Sequence, residues 1–480
     1  MDIDTKAKVI TYLQNQIARS STRLRAYTID NIGKKLPKRN AYFPIEKQLN
    51  DFGKGAYDPR WIAISGLRGT GKTTLLAQLH TELNINPEHK LYLSLDESAR
   101  VLGVSFADIL STYEELLGTA FEMLKTPIYL FLDEVQYDQS WGITLKTIYD
   151  RTSKVFILCT GSSALALQTN ADIARRLFFN TLYPLSFTEY MLIKTGKQPE
   201  IALGKSIQEA LFSSTNAREV YDKLGKLSQK VNGYWMGIDT LQIDGYLKYG
   251  TLPFTLKLNQ EPLVYTQINQ TLSTVLAKDI PQLTTFDKET IDKLSQILYA
   301  VASADIVSLN TIATTVGLNP KTVGSVFDAL EKTEVLLRVY PYGSHYKQVR
   351  KTSKYLFMSS AFRAMYYNLI GSIFTYHHYK GKLLEDVVGL SLTRTFTNTT
   401  TGYALTYDSV SEGADFIVST RSMARWNIVI EVGVGEKGFI QARNTLRRVE
   451  GKYGLVVSSS PLTLDEDNYV TVPIQYFLLI

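Results

Sequence analysis

The chain has 480 residues, which is too long for one hydrophobic core, so we expect three or four domains. Its composition, 45% hydrophobic and 20% charged residues, is ordinary for a soluble globular protein, and no apolar run is long enough to span a bilayer. The net charge of +6 permits nucleic acid as a partner without requiring it. A single cysteine, Cys159, excludes an internal disulfide framework and a cysteine-based zinc site.

The first 45 residues predict a helical segment followed by a basic stretch. Residues 1–19 mix charged, amide and apolar residues, which is not the pattern of a signal peptide, so we expect an intracellular, cytoplasmic protein with no membrane partner. The segment is interpreted as a solvated helical arm or, alternatively, as a contact with a phosphate backbone. Its basic residues are Arg19, Arg23, Arg25, Lys34, Lys35, Lys38 and Arg39.

Residues 66–73 match the pattern of a phosphate-binding loop. An apolar segment at 61–65 predicts a strand before the loop, and residues 73–79 predict a helix after it. Glycines let successive N–H groups point inward, and the helix N-terminus adds positive charge. Lys72 would reach the β- and γ-phosphates of ATP, and the Thr73 hydroxyl would ligate Mg²⁺. The residues predicted to bind nucleotide are Gly66, Leu67, Arg68, Gly69, Thr70, Gly71, Lys72, Thr73 and Thr74.

Strands and helices alternate from about residue 46 to 190, which predicts an α/β domain with a parallel sheet and helices on both faces. The apolar strand at 128–132 runs directly into Asp133 and Glu134. Asp133 would hold Mg²⁺ through water beside Thr73, and Glu134 would polarise the attacking water. The alternative is a polar strand end that caps the next helix.

The next predicted strand, 155–160, ends in hydroxyl residues. Thr160 or Ser162 is a candidate to sit between the second carboxylate and the γ-phosphate, or these hydroxyls only cap the following turn. Arg176 is the candidate arginine finger, acting in cis or from a neighbouring subunit of a homo-oligomer. Arg175 and Arg176 as a plain surface pair explain the residues equally well.

Several segments resemble the prokaryotic, largely archaeal, AAA-type ATPase family. They are residues 133–136, 160–163 and 183–190, together with Trp141 and Arg176. Residues 246–253 are similar to the lid motif of that family, with Thr251 where a second glycine is usual. The resemblance implies a P-loop ATPase core, a helical lid, a winged helix and an α/β restriction-endonuclease-like domain. We assign these to residues 46–190, 191–285, 286–358 and 359–480, after the arm at 1–45.

The winged-helix assignment depends on predicted helices at 291–300, 309–318 and 322–332, with a glycine turn at Gly317. The last of these helices has Lys321 just before it and Lys332 at its end, with Asp328, Glu331 and Glu334 against them, so DNA contact and protein docking both remain open. The following basic stretch, 345–354, is the strongest nucleic-acid candidate in the chain, or else an exposed basic hairpin. Its cations are His345, Lys347, Arg350, Lys351 and Lys354.

The resemblance also implies a nuclease-like metal site in residues 359–480. Glu385, Asp415 and Glu431 match the carboxylates that surround Mg²⁺ in such nucleases. The lysine expected two residues after Glu431 is replaced by Gly433, and the nearest one is Lys437. The domain has therefore either lost cleavage and serves as a structural or binding module, or it cuts with Lys437 or another group.

These observations predict a Mg²⁺-dependent ATPase whose conformational change is passed to the attached domains. The resemblance implies a role in nucleic-acid handling or defence. The alternatives are a nucleotide-gated switch or scaffold that turns over slowly, and an ATP-regulated DNA endonuclease.

Overall fold

The computed structural model of the chain describes residues 1–56, 58–161, 173, 175–304, 306–344, 346, 348, 351–369, 375–397, 402–420, 426–435, 440–465 and 468–480. These residues form two compact units, Met1–Tyr183 and Pro184–Ile480. The segments predicted as lid, winged helix and endonuclease-like domain therefore lie in one compact unit, and their division into separate domains stays a prediction.

The first unit is an α/β layer structure built on a parallel sheet. Its strands are β1 Trp61–Ser65, β2 Lys90–Ser94, β3 Ile128–Asp133, β4 Val155–Thr160 and β5 Phe178–Thr181. Its helices are α1 Ile3–Arg25, α2 Tyr42–Gly53, α3 Lys72–Glu82, α4 Leu95–Leu102, α5 Phe106–Leu116 and α6 Trp141–Arg151. The strand order is β2-β3-β4-β1-β5, and every neighbouring pair is parallel. The predicted parallel sheet is confirmed.

The strand β1, which lies between β4 and β5, is buried on both faces, because alternate side chains enter two different cores. Trp61 and Ala63 pack in a core with apolar residues of α1, α5 and α6. Ile62 and Ile64 pack on the opposite face with apolar residues of α2 and α3. Helices on both faces explain why β1, β3 and β4 are buried along their whole length.

The helix α1 is part of this unit rather than a solvated arm. Val9 and Leu13 are fully buried in the core on one face of the sheet, and Leu24 is buried in the core on the other. Cations of the basic stretch are paired with acids of the same unit, as in the Arg23 Nη2 to Glu97 Oε2 contact of 2.8 Å. The prediction of a solvated arm was wrong because one face of the helix is apolar and needs a partner.

The second unit combines helices with a mixed sheet. Its helices are α7 Phe187–Thr195, α8 Leu203–Phe212, α9 Ala217–Trp235, α10 Leu241–Gly245, α11 Glu261–Thr274, α12 Ile280–Leu283, α13 Lys288–Ser303, α14 Leu309–Val316, α15 Pro320–Lys332, α16 Ser360–Leu369, α17 Tyr376–Thr397, α18 Ile440–Arg448 and α19 Ile474–Phe477. Its strands are β6 Leu336–Pro341, β7 Lys354–Phe357, β8 Tyr403–Tyr407, β9 Phe416–Thr420, β10 Asn427–Val432, β11 Tyr453–Ser458, β12 Thr463–Asp465 and β13 Tyr469–Pro473.

The mixed sheet crosses the predicted boundary at residue 358. Its order among the described residues is β12-β13-β11-β10-β9-β8-β6-β7. The strand β6 pairs in parallel with β8, Tyr340 beside Thr406, and antiparallel with β7. The helices α13, α14 and α15 lie at the positions predicted for a winged helix, but the two strands that follow them extend the C-terminal sheet. The identification of this segment as a winged helix stays a prediction.

The segment predicted as a lid packs on the C-terminal part of the chain. The Tyr453 hydroxyl donates to the Leu211 carbonyl at 2.7 Å, and the Trp235 indole N–H donates to the Gln475 carbonyl at 3.1 Å. These contacts join α8 and α9 to the end of the chain. The apolar stripe of an amphipathic helix indicates that one face is buried, but it does not identify the element that covers that face.

None of the helices in the described part of the chain is long and apolar enough to span a bilayer.

Candidate nucleotide site and a second acidic cluster

The phosphate-binding loop joins β1 to α3, and its backbone depends on glycine. Gly66, Gly69 and Gly71 have φ values of 148°, 88° and 96°, which side-chain-bearing residues rarely adopt. A Cβ atom on Gly66 would lie 2.5 Å from the Leu182 carbonyl oxygen. The three glycines are therefore required by the path of the backbone, as the pattern predicted.

Lys72 is the first residue of α3, and its ammonium lies within the loop. The side chain is buried, and Nζ donates to the carbonyl oxygens of Gly66 at 2.7 Å and Leu67 at 3.1 Å. Gly71 precedes the helix and has no side chain with which to cap it. The loop thus presents an ammonium and a helix N-terminus together, which is the charge distribution that an anion requires. Arg68, Thr73 and Thr74 are partly exposed along the same loop and helix start.

Three oxygen-bearing side chains meet at the carboxyl ends of the strands next to this loop. The Thr73 hydroxyl donates to Asp133 Oδ2 at 2.9 Å, and the Thr160 hydroxyl donates to Asp133 Oδ1. Asp133 ends β3 and Thr160 ends β4, and these strands are neighbours in the sheet. The structure therefore brings together three of the residues predicted for the site.

Burial raises the pKa of Asp133 above its usual range, and the nearby charge of Glu134 raises it further. The hydrogen bonds from Thr160 and Thr73 and the charge of Lys72 act in the opposite direction. Asp133 as a whole is 4% exposed. A cation beside it would favour its ionised form.

Glu134 has a backbone conformation that is uncommon for a residue with a side chain. Its φ is 55° and its ψ is 50°. Its N–H donates to the Thr160 hydroxyl at 3.2 Å, and its carboxylate accepts a hydrogen bond from Gln136 Nε2. Such strained positions persist where the surroundings hold them and are concentrated at functional sites. Thr160 thus bonds to both acidic residues of the pair, and the sequence alone did not indicate its contact with Asp133.

The residues present fit Mg²⁺. This ion prefers oxygen ligands and is held in nucleotide sites by a few protein groups together with water and phosphate. The 2.9 Å contact between Thr73 and Asp133 brings one hydroxyl and one carboxylate oxygen to the same point.

Arg39 contacts the phosphate-binding loop, although the sequence predicted it only as part of the basic stretch within residues 1–45. Its guanidinium donates from Nη1 to the Thr70 carbonyl at 2.7 Å and from Nη2 to the Tyr183 carbonyl at 2.9 Å. Thr70 is itself buried, and its hydroxyl donates to the Leu67 carbonyl at 2.9 Å. The basic stretch was expected to face solvent or phosphate, and no signal in the sequence distinguished Arg39 from its neighbours.

Two further predicted residues lie away from this group of contacts. Arg176 forms a two-point ion pair with the carboxylate of Asp150, with Nε to Oδ1 at 2.7 Å and Nη2 to Oδ2 at 3.1 Å. Its role as an arginine finger stays a prediction. Ser162 lies outside the described residues.

The predicted nuclease-like carboxylates form a second acidic cluster in the C-terminal sheet. Glu385 lies on α17, Asp415 immediately precedes β9, and Glu431 lies in β10. The Asp415 N–H donates to Glu431 Oε2 at 3.3 Å, and the Val432 N–H donates to Asp415 Oδ2 at 2.9 Å. No group of three or more His, Cys, Asp or Glu side chains in the described ranges is arranged to hold a metal ion. Glu385, Asp415 and Glu431 are therefore not arranged as the predicted three-carboxylate metal site.

The basic stretch 345–354 is not a uniformly exposed patch. Lys351 is exposed, and its ammonium donates to the Ser409 hydroxyl at 2.8 Å. Lys354, by contrast, is the first residue of β7 and is 3% exposed. Its inclusion in a nucleic-acid patch was wrong, because its ammonium is paired with carboxylates inside the fold. His345, Lys347, Arg350 and the alternative nuclease lysine, Lys437, lie outside the described residues.

Comparison with known proteins bears on both units. The profile of a family described as an AAA domain matches residues 58–191, and that of DUF8612, a domain of unknown function, matches residues 240–370. The uncharacterized protein MJ1637 of Methanocaldococcus jannaschii is 34% identical over 474 residues, which cover 98% of this chain and 93% of the relative. Residues 58–191 thus form an AAA-type P-loop domain.

Solved structures resemble the chain only weakly. AMPPCP-bound DnaA from Aquifex aeolicus has 20% identity and a TM-score of 0.26, covering 61% of this chain and 87% of that one. C. elegans PCH-2 has 16% identity and a TM-score of 0.24, covering 64% of this chain and 72% of that one. Similarities of this size support no conclusion about the present chain.

Proposed function

This chain belongs to the family of the archaeal protein MJ1637, and on that premise we propose that its AAA domain is a Mg²⁺-dependent ATPase. The observation that carries the proposal is the contact of Thr73 with Asp133 beside the buried Lys72. It unites an anion-binding loop, a pair of oxygen ligands for a divalent ion and an adjacent acid, Glu134. This combination serves phosphoryl transfer, in which catalysis depends on positioning and on charge stabilisation.

Each residue of the site has a role that its contacts support. The loop N–H groups and the Lys72 ammonium bind the phosphates of ATP. Thr73 and Asp133 would hold Mg²⁺, whose chemistry is to neutralise charge that develops on the phosphate oxygens. The Glu134 carboxylate orients a water molecule and accepts its proton. Thr160 fixes the positions of both acidic residues, because its hydroxyl accepts from the Glu134 N–H and donates to Asp133.

The substitution Glu134→Gln tests this function. We expect ATP to bind with nearly unchanged affinity while turnover falls by roughly 100-fold or more, because the amide cannot accept the proton of the attacking water. Phosphate release and equilibrium binding of ATP measure the two effects. Glu88→Gln, at an exposed residue of the same unit, is the control and should behave as wild type.

Two results would contradict the proposal. Wild-type turnover by Glu134→Gln would remove that residue from the role of base. Absence of any nucleotide binding by the wild-type protein with Mg²⁺, together with no effect of Lys72→Ala, would remove the ATPase function itself.

One contact favours a slowly cycling switch as a second candidate. The Glu134 carboxylate accepts a hydrogen bond from Gln136, and this oxygen cannot orient an attacking water molecule until that bond opens. A slow switch would retain ADP on purification and release phosphate at a rate that DNA does not change. A rate that rises with DNA supports nucleic-acid handling instead.

We further propose that residues 286–358 and 359–480 are the winged-helix and endonuclease-like parts to which nucleotide-driven change is passed. The order of α13, α14, α15 and the hairpin β6–β7 supports the first assignment, and the acidic cluster in a mixed sheet supports the second. Arg338 Nη1 lies 3.6 Å from Asp328 Oδ1 and 3.9 Å from Glu331 Oε2. Because these carboxylates offset its charge, Arg338 would attract DNA phosphates less strongly. DNA binding measured with and without an ATP analogue tests this coupling.

Arg176 would act in trans only within a dimer or ring. Its side chain is 29% exposed, and its guanidinium is paired with the carboxylate of Asp150. This ion pair must open before the guanidinium can enter the site of a neighbouring subunit. Sizing the protein with and without an ATP analogue tests the assembly, and restoration of turnover on mixing Arg176→Ala with Glu134→Gln subunits tests donation between subunits.

A further inference from the structure

Lys354 carries its charge into the centre of the acidic cluster. It begins β7, and its ammonium forms an ion pair with Glu385 and donates to Asp415 Oδ1 at 3.1 Å. The ammonium also lies 5.1 Å from the centre of the Phe416 ring. The side chain of Lys354 is 4% exposed, and those of Glu385 and Asp415 are 11% and 20% exposed. A lysine this deeply buried is rare unless its charge is paired.

The cluster is assembled from four separate elements of the chain. Glu385 lies on α17 and Glu431 in β10. Asp415 is the residue immediately before β9, and Lys354 is the first residue of β7. Backbone N–H groups of Asp415 and Val432 donate to the carboxylates and keep them in place. The ammonium is thus held at a defined point rather than at the end of a free side chain.

The charge of this ammonium is paired inside the fold. It contacts the carboxylates of both Glu385 and Asp415. Buried carboxylates without a cation would be costly, and an ammonium that touches two of them offsets that cost. The protein therefore supplies the positive charge of this site from its own sequence.

We infer that the Lys354 ammonium occupies the position at which an endonuclease-like carboxylate set would otherwise hold a divalent cation. The C-terminal cluster is on this view a metal-independent structural centre, and it ties β7 to α17 and to the start of β9. The inference concerns the second unit alone and does not depend on ATP hydrolysis in the first. It predicts that removal of the ammonium creates a need for another cation at the same point.

The experiment compares the full-length, nucleotide-free protein with Lys354→Met. Wild type should show no change of Tm with EDTA or with millimolar Mn²⁺. Lys354→Met should unfold about 5–15 °C lower, because a buried ion pair has lost one partner. Millimolar Mn²⁺ should restore at least half of that shift, and Mn²⁺ paramagnetic resonance should report a bound ion in the variant.

Two controls assign the effect to this cluster. Lys351→Met removes a neighbouring exposed lysine and should leave both Tm and Mn²⁺ binding as in wild type. Mn²⁺ binding by Lys354→Met should vanish when Asp415→Asn is added, and it should persist when Asp133→Asn is added in the first unit.

Three results would overturn the inference. Wild-type protein that binds Mn²⁺ in a manner abolished by Asp415→Asn would show that the lysine stands beside a metal and does not replace one. Lys354→Met with unchanged Tm, or with a lowered Tm that Mn²⁺ does not raise, would show that the position needs no cation. If Lys354→Met does not fold, Mn²⁺ binding by wild type compared with Asp415→Asn decides the matter.

Discussion

A single side chain, Arg39, braces the phosphate-binding loop from outside it. Its two terminal nitrogens donate to the carbonyl of Thr70 within the loop and to the carbonyl of Tyr183 at the end of the first unit. The planar guanidinium offers these donors at a set angle, which a lysine cannot reproduce. The backbone at Thr70 therefore depends on a residue that precedes the loop by about thirty positions in the sequence.

We expect Arg39→Met to weaken ATP binding by roughly tenfold, because the loop backbone loses the charge-assisted hydrogen bonds that hold the Thr70 and Tyr183 carbonyls. The turnover number at saturating ATP should change much less, since Arg39 contacts the loop backbone and none of the proposed reacting groups. KM and kcat for ATP hydrolysis provide the measurement.

Arg25→Met, which removes an exposed cation of the same stretch, is the matched control and should leave KM unchanged. Equal KM values for wild type and Arg39→Met would show that the loop keeps its shape without the brace.

At the scale of elements, α3 joins the phosphate loop to the buried core of the first unit. Lys72 begins the helix, and His80 lies near its end with no exposed surface. The imidazole packs edge-on against Phe131, with ring centres 5.0 Å apart, and its Nε2 lies 3.5 Å from the Ser20 hydroxyl of α1. Burial, with a smaller contribution from the charge of Lys90, lowers the pKa of His80 to about 3.

This shift makes the first unit sensitive to acid. The unfolded state binds a proton at His80 below about pH 6.5 and the folded state does not, so the free energy of unfolding falls as pH drops from about 6.5 towards 3. At pH 5 the loss from this group is about 2 kcal/mol relative to pH 7.5. His80→Phe should remove that part of the pH dependence.

Denaturant unfolding at pH 7.5 and pH 5 measures the difference for each protein. His377→Gln, at an exposed histidine, should retain the acid sensitivity of wild type. An unchanged pH dependence in His80→Phe would contradict the assignment.

The helix α1 illustrates how an element can be visible in the sequence while its environment is not. Its buried positions, Val9, Leu13, Gln16, Ser20 and Leu24, are spaced by three or four residues. That spacing marks one face of a helix. The charges on the other face favoured a solvated arm, whereas the apolar stripe required a partner, and the sheet supplies it.

At the scale of the whole molecule, a fully buried ion pair ties helices of the second unit together. Arg363 on α16 donates from Nε and Nη2 to the carboxylate of Asp386 on α17, at 2.6 and 2.9 Å. Its Nη1 also donates to the Ala302 carbonyl at the end of α13, at 2.8 Å, and the Phe357 N–H donates to Asp386 at 3.0 Å. The pair therefore links the predicted winged-helix and endonuclease-like segments into one unit.

Removing one partner should destabilise the second unit. Arg363→Met leaves the Asp386 carboxylate buried without its guanidinium, which costs about 3–5 kcal/mol. We expect early unfolding and proteolysis of residues 184–480, while ATP still protects the first unit. The double variant Arg363→Met/Asp386→Leu should recover most of the loss, since neither charge remains.

Limited proteolysis followed by mass analysis, and thermal unfolding of each variant, measure these effects. Two single substitutions whose costs simply add in the double variant would show that the two residues do not act as a pair.

The sequence by itself determined the parallel α/β layer, the loop at residues 66–73 and the acidic strand end at Asp133. These features are local, since glycine backbone preferences and the burial of an apolar strand act over a few neighbouring residues. The tertiary structure alone decided the partners of Arg39, the place of β6 in the C-terminal sheet and the surroundings of Lys354. Lys354 and Asp415 are 61 residues apart in the chain, and a lysine's charge does not reveal whether folding will bury it beside carboxylates. Long-range packing determines which charged residues come into contact. Patterns over a few neighbouring residues do not contain that information.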